Sequence, residues 1–231
     1  MIRTFFARFL FGFFPDVCTA CGSHLRVSER VLCTSCLIDI PRIYFHNQER
    51  NPLEDVLWGQ IPYEKATALF YYTKKNKYAP LLHDLKYKNR SDVGEFLGEM
   101  FANELQKTGF LDSIDYIIPI PLHKKRLKKR GYNQSEHIAI GLSKQSSIPY
   151  ITNAVVRTVN TQTQTKKSKE ERLRNVQNIF SVTKPSVLAH KHVLLLDDVI
   201  TTGATCISCA DTIISAEPSC KVSIASLGLA M

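Results

Sequence analysis

The residues best suited to chemistry lie together in "HVLLLDDVITTGATC", His192 to Cys206. Four apolar residues, Val193 to Leu196, run straight into two carboxylates, Asp197 and Asp198. A turn of Thr201, Thr202, Gly203, Ala204 and Thr205 follows. An apolar strand that opens into a Thr/Gly turn and then a helix is an anion site. Backbone N–H groups of the turn point inward, hydroxyls add donors, and the helix N-terminus adds partial positive charge. The spacing is not that of a Walker loop, because G-x4-G-K-[ST] is absent. Carboxylates repel an anion, so the two acids must face another part of the same ligand. Vicinal sugar hydroxyls donate well to carboxylates. A ribose 5-phosphate satisfies both halves, with its phosphate on Thr201–Thr205 and its 2′- and 3′-hydroxyls on Asp197 and Asp198. The competing readings are a metal-binding acidic pair, which leaves the turn without a purpose, and ordinary capping and loop charge.

A second group is made of cysteines. Cys18 and Cys21 form one C-x2-C knuckle and Cys33 and Cys36 another. Each short turn can aim two thiolates at one ion, and the two together complete a tetrahedron suited to zinc. Four thiolates leave no open position, so the site is expected to be structural. Two disulfides are the alternative, but they need an oxidising compartment. Gly22 suits the turn after the first knuckle, and "VSERVL" between the knuckles is expected to supply the strands of a small hairpin. Cys206 and Cys209 repeat the spacing inside an expected helix, where two small buried side chains are the simpler account. Cys220 stands alone.

These groups need elements to hold them. The patterning predicts a strand at Ala66–Tyr72, a helix from about Tyr78, and a helix through Val93, Phe96, Leu97, Met100, Phe101 and Leu105. A short strand then ends in the Pro119–Pro121 loop. The strongly basic "HKKRLKKRGYNQ" follows, and then the helix "SEHIAIGLSKQ". "YITNAVVRTV" reads as a strand, and the polar run to Phe180 as a loop. The strand bearing the two acids, the helix "ATCISCADTIISA" and a last strand "KVSIASLGLA" complete the chain. Strands alternating with helices imply an α/β fold with a mainly parallel sheet. The unbroken apolarity of 116–120 and 193–196 fits strands covered on both faces. Ligands in such sheets bind at the carboxyl ends of the strands.

Composition sets the class of partner. The chain of 231 residues carries 30 Lys+Arg against 21 Asp+Glu, a formal charge of +9. That excess favours an anionic partner, a phosphorylated small molecule or a nucleic acid. No apolar stretch is long enough to span a membrane. The Phe-rich start places Phe5, Phe6, Phe9, Leu10, Phe13 and Phe14 on one helical stripe, with Thr4 as cap and Pro15 as stop. It reads as a helix packed on its own domain, with a membrane-surface helix as the alternative. Arg8 and the lack of a small-residue cleavage site before Cys18 argue against a signal peptide, so the expected compartment is the cytoplasm.

"VLLLDDVITTGAT" resembles the phosphoribosyl pyrophosphate (PRPP) signature of type I phosphoribosyltransferases. With "CTACG…CTSC", "LLHDLKYKNR", "IIPIPLHKKRLKKRGYNQS" and "RTVNTQTQTKKSKEERLRNVQNIF", nearly the whole chain resembles the ComF family (competence protein F or GntX-like). The resemblance implies an N-terminal helix and zinc-ribbon-like module over 1–60 and a type I phosphoribosyltransferase-like domain over 61–231. It implies PRPP, with Mg²⁺, on Asp197, Asp198, Thr201, Thr202, Gly203, Ala204 and Thr205, and zinc on the four cysteines. Asp197 and Asp198 would be the catalytic pair, holding the ribose for attack at C1 while pyrophosphate leaves.

The turn at Pro119–His123 would be the pyrophosphate loop. Lys124, Lys125, Arg126 and Arg130 would meet pyrophosphate or DNA; a solvated helix face is the rival reading of that run. Arg157, Thr161, Gln164, Arg172 and Asn175 match the family's loop, with Lys167 where Leu is expected. Lys86 is a further candidate ligand contact. Tyr87 and Tyr132 are candidates for base stacking or packing, and His83 and His137 read as surface or packing residues. Two functions follow. One is a transferase moving ribose 5-phosphate to an unidentified acceptor during DNA uptake and transformation. The other is a non-catalytic sensor of PRPP or a nucleotide that binds single-stranded DNA or competence proteins.

Overall fold

The computed structural model describes residues 16–44, 50–159 and 179–230. Four strands form one parallel sheet in the order β1 (Ala66–Tyr72), β6 (Lys221–Ala230), β5 (His192–Ile200), β2 (Tyr116–Pro119). The short strands β3 (Val155–Arg157) and β4 (Phe180–Val182) pair antiparallel beside it. The mainly parallel sheet flanked by helices is the expected class. The candidate strand "YITNAVVRTV" is shorter than its apolarity suggests. Only Val155–Arg157 forms a strand, and Tyr150 merely bridges to Ile117.

The sheet is covered on both faces, which is why β5 has no polar residue between Val193 and Leu196. Side chains alternate along the strand. Leu194 and Leu196 join the core formed with α3 (Ala79–Tyr87), α4 (Ser91–Gln106) and α6 (Gln134–Ser146). Val193 and Leu195 join the opposite core with α2 (Pro52–Leu57), α7 (Pro185–Leu188) and α8 (Ala204–Ala216). The two carboxylates that follow, Asp197 and Asp198, have different partners.

Helices α4 and α6 touch backbone to backbone. A Cβ on Gly98 would lie 2.2 Å from the Ile138 carbonyl oxygen, and one on Gly141 would lie 2.0 Å from that of Glu95. No other residue fits at either crossing point. This contact fixes α6, whose first turn reaches the acid pair. Asn133 caps α6 at the Ser135 N–H (3.3 Å) and donates to the Ile120 carbonyl (3.0 Å), tying the helix to the loop after β2.

The cysteine segment builds into the first core rather than standing apart from it. Cys18, Leu25, Val31, Leu32, Cys36 and Ile40 are buried with Leu69, Phe70, Leu81 and Phe101. Tyr78 donates to the Cys36 carbonyl (3.0 Å), and Arg42 bridges to Phe70. The expected hairpin strands in "VSERVL" are not formed. That run is turns, leading into the helix α1 (Thr34–Asp39), and the local pairing is a single bridge, Val17 to His24. Glu29 explains the difference. Its carboxylate accepts from the N–H of Arg26 and Thr34 (2.7 Å each) and from the Thr34 hydroxyl (2.6 Å), folding the segment on itself. These bonds, the Arg26 N–H foremost, hold its carboxyl down at about 2. The Phe-rich stripe at 5–14 lies outside the described residues.

Candidate functional site

The last residues of β5 and the first turn of α8 form a small pocket open to solvent. Asp197, Val199, Ile200, Thr201, Thr202, Gly203, Ala204, Thr205 and Cys206 line it. Gly203 is the N-cap of α8 at φ +71°, and no side chain caps the helix. The first N–H groups of a helix have no partner within it, so this turn presents bare donors beside the exposed Thr201 and Thr202. Gly203 is required twice over. Its φ is left-handed, and a Cβ there would lie 2.7 Å from Val56 Cγ1.

Asp197 flanks this cradle. Its Oδ1 is committed, accepting from Ser135 Oγ (3.1 Å) and from the Asp198 N–H (2.8 Å). Its Oδ2 accepts only the long contact from the Cys206 thiol, at 3.9 Å, and is the oxygen better placed to take a ligand. Burial, and then the neighbouring charge of Asp198, push the Asp197 carboxyl up to about 7. Asp198 does not line the pocket. It is buried, and its Oδ2 is 3.0 Å from Lys86 Nζ at the end of α3. The two acids thus share a strand end but have different partners.

The loop after β2 adjoins this strand end, through the Ile120 N–H donating to the Leu196 carbonyl (2.9 Å). Helix α5 (Lys124–Arg130) starts there, capped by His123 Nδ1 at the Lys125 N–H (3.2 Å). Lys124 and Lys125 are exposed and Arg126 is half-buried. Arg157 on β3 lies within the electrostatic reach of Arg126 and Asp197; burial and then the like charge of Arg126 lower its pKa. Arg130 turns away toward α3, donating to Gln134 Oε1 (2.6 Å) and lying over the Tyr87 ring at 5.7 Å. Thr161, Gln164, Arg172 and Asn175 lie outside the described residues. So the structure gathers Asp197 and Thr201–Thr205 around one pocket, sets Arg126 and Arg157 near it, and points Asp198 and Arg130 toward α3.

Two partners are weakly announced by sequence. Ser135 is an ordinary serine in a helix start, and only the Asn133 cap signal precedes it. Lys86 sits in a basic helix end with no spacing that ties it to an acid more than a hundred residues away. His137 pairs with Glu95 (2.9 Å) and packs on Tyr132, whose hydroxyl donates to the Leu85 carbonyl. His83 lies against Tyr87. Both histidines therefore serve packing and surface contacts. Cys206 and Cys209 are buried apolar contacts of α8.

Away from this pocket, the ligand atoms of Cys18, Cys21, Cys33 and Cys36 all lie within 4.8 Å of one another. Cys21 and Cys33 sulfurs are 3.7 Å apart. Zinc–sulfur bonds of about 2.3 Å in a tetrahedron place sulfurs about 3.8 Å apart, so the four thiols fit one metal ion. Cys18 and Cys36 are buried in the core, which fits a structural role. Among the described residues no helix is long and apolar enough to cross a membrane.

No protein-family model matches the chain. It is 30% identical over 192 residues to the DNA utilization protein YhgH of Shigella flexneri, covering 82% of this chain and 80% of that one. It is 27% identical over 207 residues to competence protein F of Haemophilus influenzae, covering 85% and 90%. Among solved structures it is similar to adenine phosphoribosyltransferase of Saccharomyces cerevisiae, with 14% identity, coverage of 66% and 73%, and a TM-score of 0.39. The sequence likeness to YhgH and to competence protein F extends over more than four-fifths of the chain, and on it the chain belongs to the ComF family.

Proposed function

We propose that this protein binds PRPP at the end of β5 and transfers its ribose 5-phosphate, releasing pyrophosphate, to an acceptor that serves DNA uptake. One observation carries the reading: an uncapped helix N-terminus and its Thr/Gly turn form an anion cradle, beside a carboxylate oxygen that accepts only a long thiol contact. The 5-phosphate takes the N–H groups and hydroxyls of Thr201–Thr205. Asp197 Oδ2 takes a ribose hydroxyl, and Asp198, which Lys86 holds in the free protein, takes the other. In this reading Arg126, Lys124 and Lys125 stabilise the charge of the departing pyrophosphate. Mg²⁺ bound together with PRPP beside Asp197 and Asp198 would supply further charge neutralisation. The cysteine cluster takes zinc as a structural ion, and its module, within the 1–60 part of the chain, packs onto the core of a catalytic domain at 61–231.

The reading is tested by thermal unfolding with and without PRPP and Mg²⁺. A ligand at one hundred times its Kd stabilises by about 2.7 kcal/mol, which for a chain this long raises Tm by roughly 5–10 °C. Inorganic phosphate should compete. No shift at millimolar PRPP would overturn the proposal.

The exposed lysines of α5 favour a second reading, in which the domain binds its ligand without turnover and α5 holds single-stranded DNA. Relatives named for competence and DNA utilization are consistent with either. Pyrophosphate release dependent on an added acceptor supports the transferase; its absence alongside PRPP binding supports the sensor.

A further inference from the structure

Lys86 and Asp198 form an ion pair at the ligand end of the sheet that no local geometry requires. Helix α3 carries two lysines in and just after its last turn. Lys88 pairs with Asp84 of its own helix (3.0 Å, four residues apart), which leaves that acid satisfied. Lys86 instead leaves its helix to meet Asp198 Oδ2 at 3.0 Å, with both side chains largely shielded from water. The backbone around it is held from both sides. Tyr132 donates to the carbonyl of Leu85, and Arg130 lies over the ring of Tyr87. Residues 130 and 132 follow the loop that leaves β2, so the end of α3 is fixed against the basic segment.

From such an anchor, a flexible four-carbon stem can swing its ammonium between two anions without moving the helix. A sugar hydroxyl that takes Asp198 Oδ2 competes with Lys86 for it. A partly buried ammonium that loses its carboxylate needs another anion nearby.

We infer that Lys86 is a selectivity switch: it occupies Asp198 in the free protein, gives way to a ribose hydroxyl, and then binds the anionic substituent at C1 of the ligand. The inference rests on the ribose-phosphate reading of the site. Its consequence is discrimination. PRPP offers the displaced ammonium a new partner, whereas ribose 5-phosphate, which has no C1 pyrophosphate, leaves it stranded.

Titration calorimetry of both ligands, with Mg²⁺, into wild type, Lys86→Met and Lys86→Arg tests this. Lys86→Met should weaken PRPP binding and leave ribose 5-phosphate equal or tighter, collapsing the ratio of the two Kd values by about tenfold or more. Lys86→Arg should preserve most of the ratio. A role in folding alone would move both Kd values by the same factor, and an unchanged ratio would overturn the inference while leaving the site reading intact. Failure of wild type to bind either ligand would instead remove the reading on which it rests. Should Lys86→Met not fold, the ¹⁵N resonance of the Lys86 ammonium in wild type follows the same exchange of partners. Ribose 5-phosphate should broaden it and PRPP should keep it sharp; no response to either ligand in a protein that binds both would overturn the switch.

Discussion

Replacing Asp197 by Asn should stabilise the protein at neutral pH and disable its site. The carboxyl is raised from 3.8 to about 7, because burial and the adjacent Asp198 disfavour its charge. At about 1.4 kcal/mol per pH step, that rise corresponds to about 4 kcal/mol. The sign follows from proton counts. Below about pH 4 the group is protonated in both folded and unfolded chains and contributes nothing. Between about pH 4 and 7 the folded protein keeps a proton that the unfolded chain has released, so stability falls as pH rises. Above about 7 the whole penalty is present and constant. Asn is uncharged and keeps the acceptor that Ser135 and the Asp198 N–H use. In urea unfolding from pH 4 to 8.5, the stability of Asp197→Asn minus that of wild type should rise from near zero to several kcal/mol, with a ceiling of about 4. Ligand-induced stabilisation should be lost in the same variant, as expected where a functional group is held at a cost to stability. A difference that does not vary with pH, or a variant less stable throughout, would refute the account of a half-buried acid whose charge is disfavoured.

Three other outcomes follow. Gly203→Ala meets both a left-handed φ and Val56 at 2.7 Å; it should lower stability by about 1–3 kcal/mol and weaken inorganic phosphate competition in the thermal assay. Gly141→Ala places a methyl 2.0 Å from the Glu95 carbonyl and should lower Tm by several degrees in calorimetry, since overpacking costs about 1–3 kcal/mol or more. Atomic emission should find about one zinc per chain, and Cys18→Ser with Cys33→Ser should lose it together with roughly 10 °C or more of Tm, because Cys18 shares a core with Leu69 and Phe70.

Much of the frame is legible in residue order. Val193–Leu196 announces a strand buried on both faces, and Gly203 announces the left-handed cap that starts a helix. Those are local signals, set by backbone geometry and burial. The C-x2-C knuckles are local too, and the sulfurs do converge. The run between them is misread because Val31 and Leu32 look like strand while Glu29, by bonding three donors, makes a turn. The apolar run and the two acids that end it are legible, but the different partners of Asp197 and Asp198 are not. Ser135 and Lys86 come from distant helices whose placement depends on the α4–α6 contact at Gly98 and Gly141. Arg130 belongs to a basic run whose members are equivalent in sequence. Only packing turns it toward Tyr87 while Lys124 and Lys125 stay in solvent.

The most direct test of the central claim is calorimetric titration of PRPP with Mg²⁺ into wild type and into Asp197→Asn/Asp198→Asn. Saturable binding with one site per chain, abolished by the double substitution in a protein that still holds its metal and melts cooperatively, is the predicted result. Equal binding by both proteins, or none by folded, zinc-loaded wild type, would contradict it.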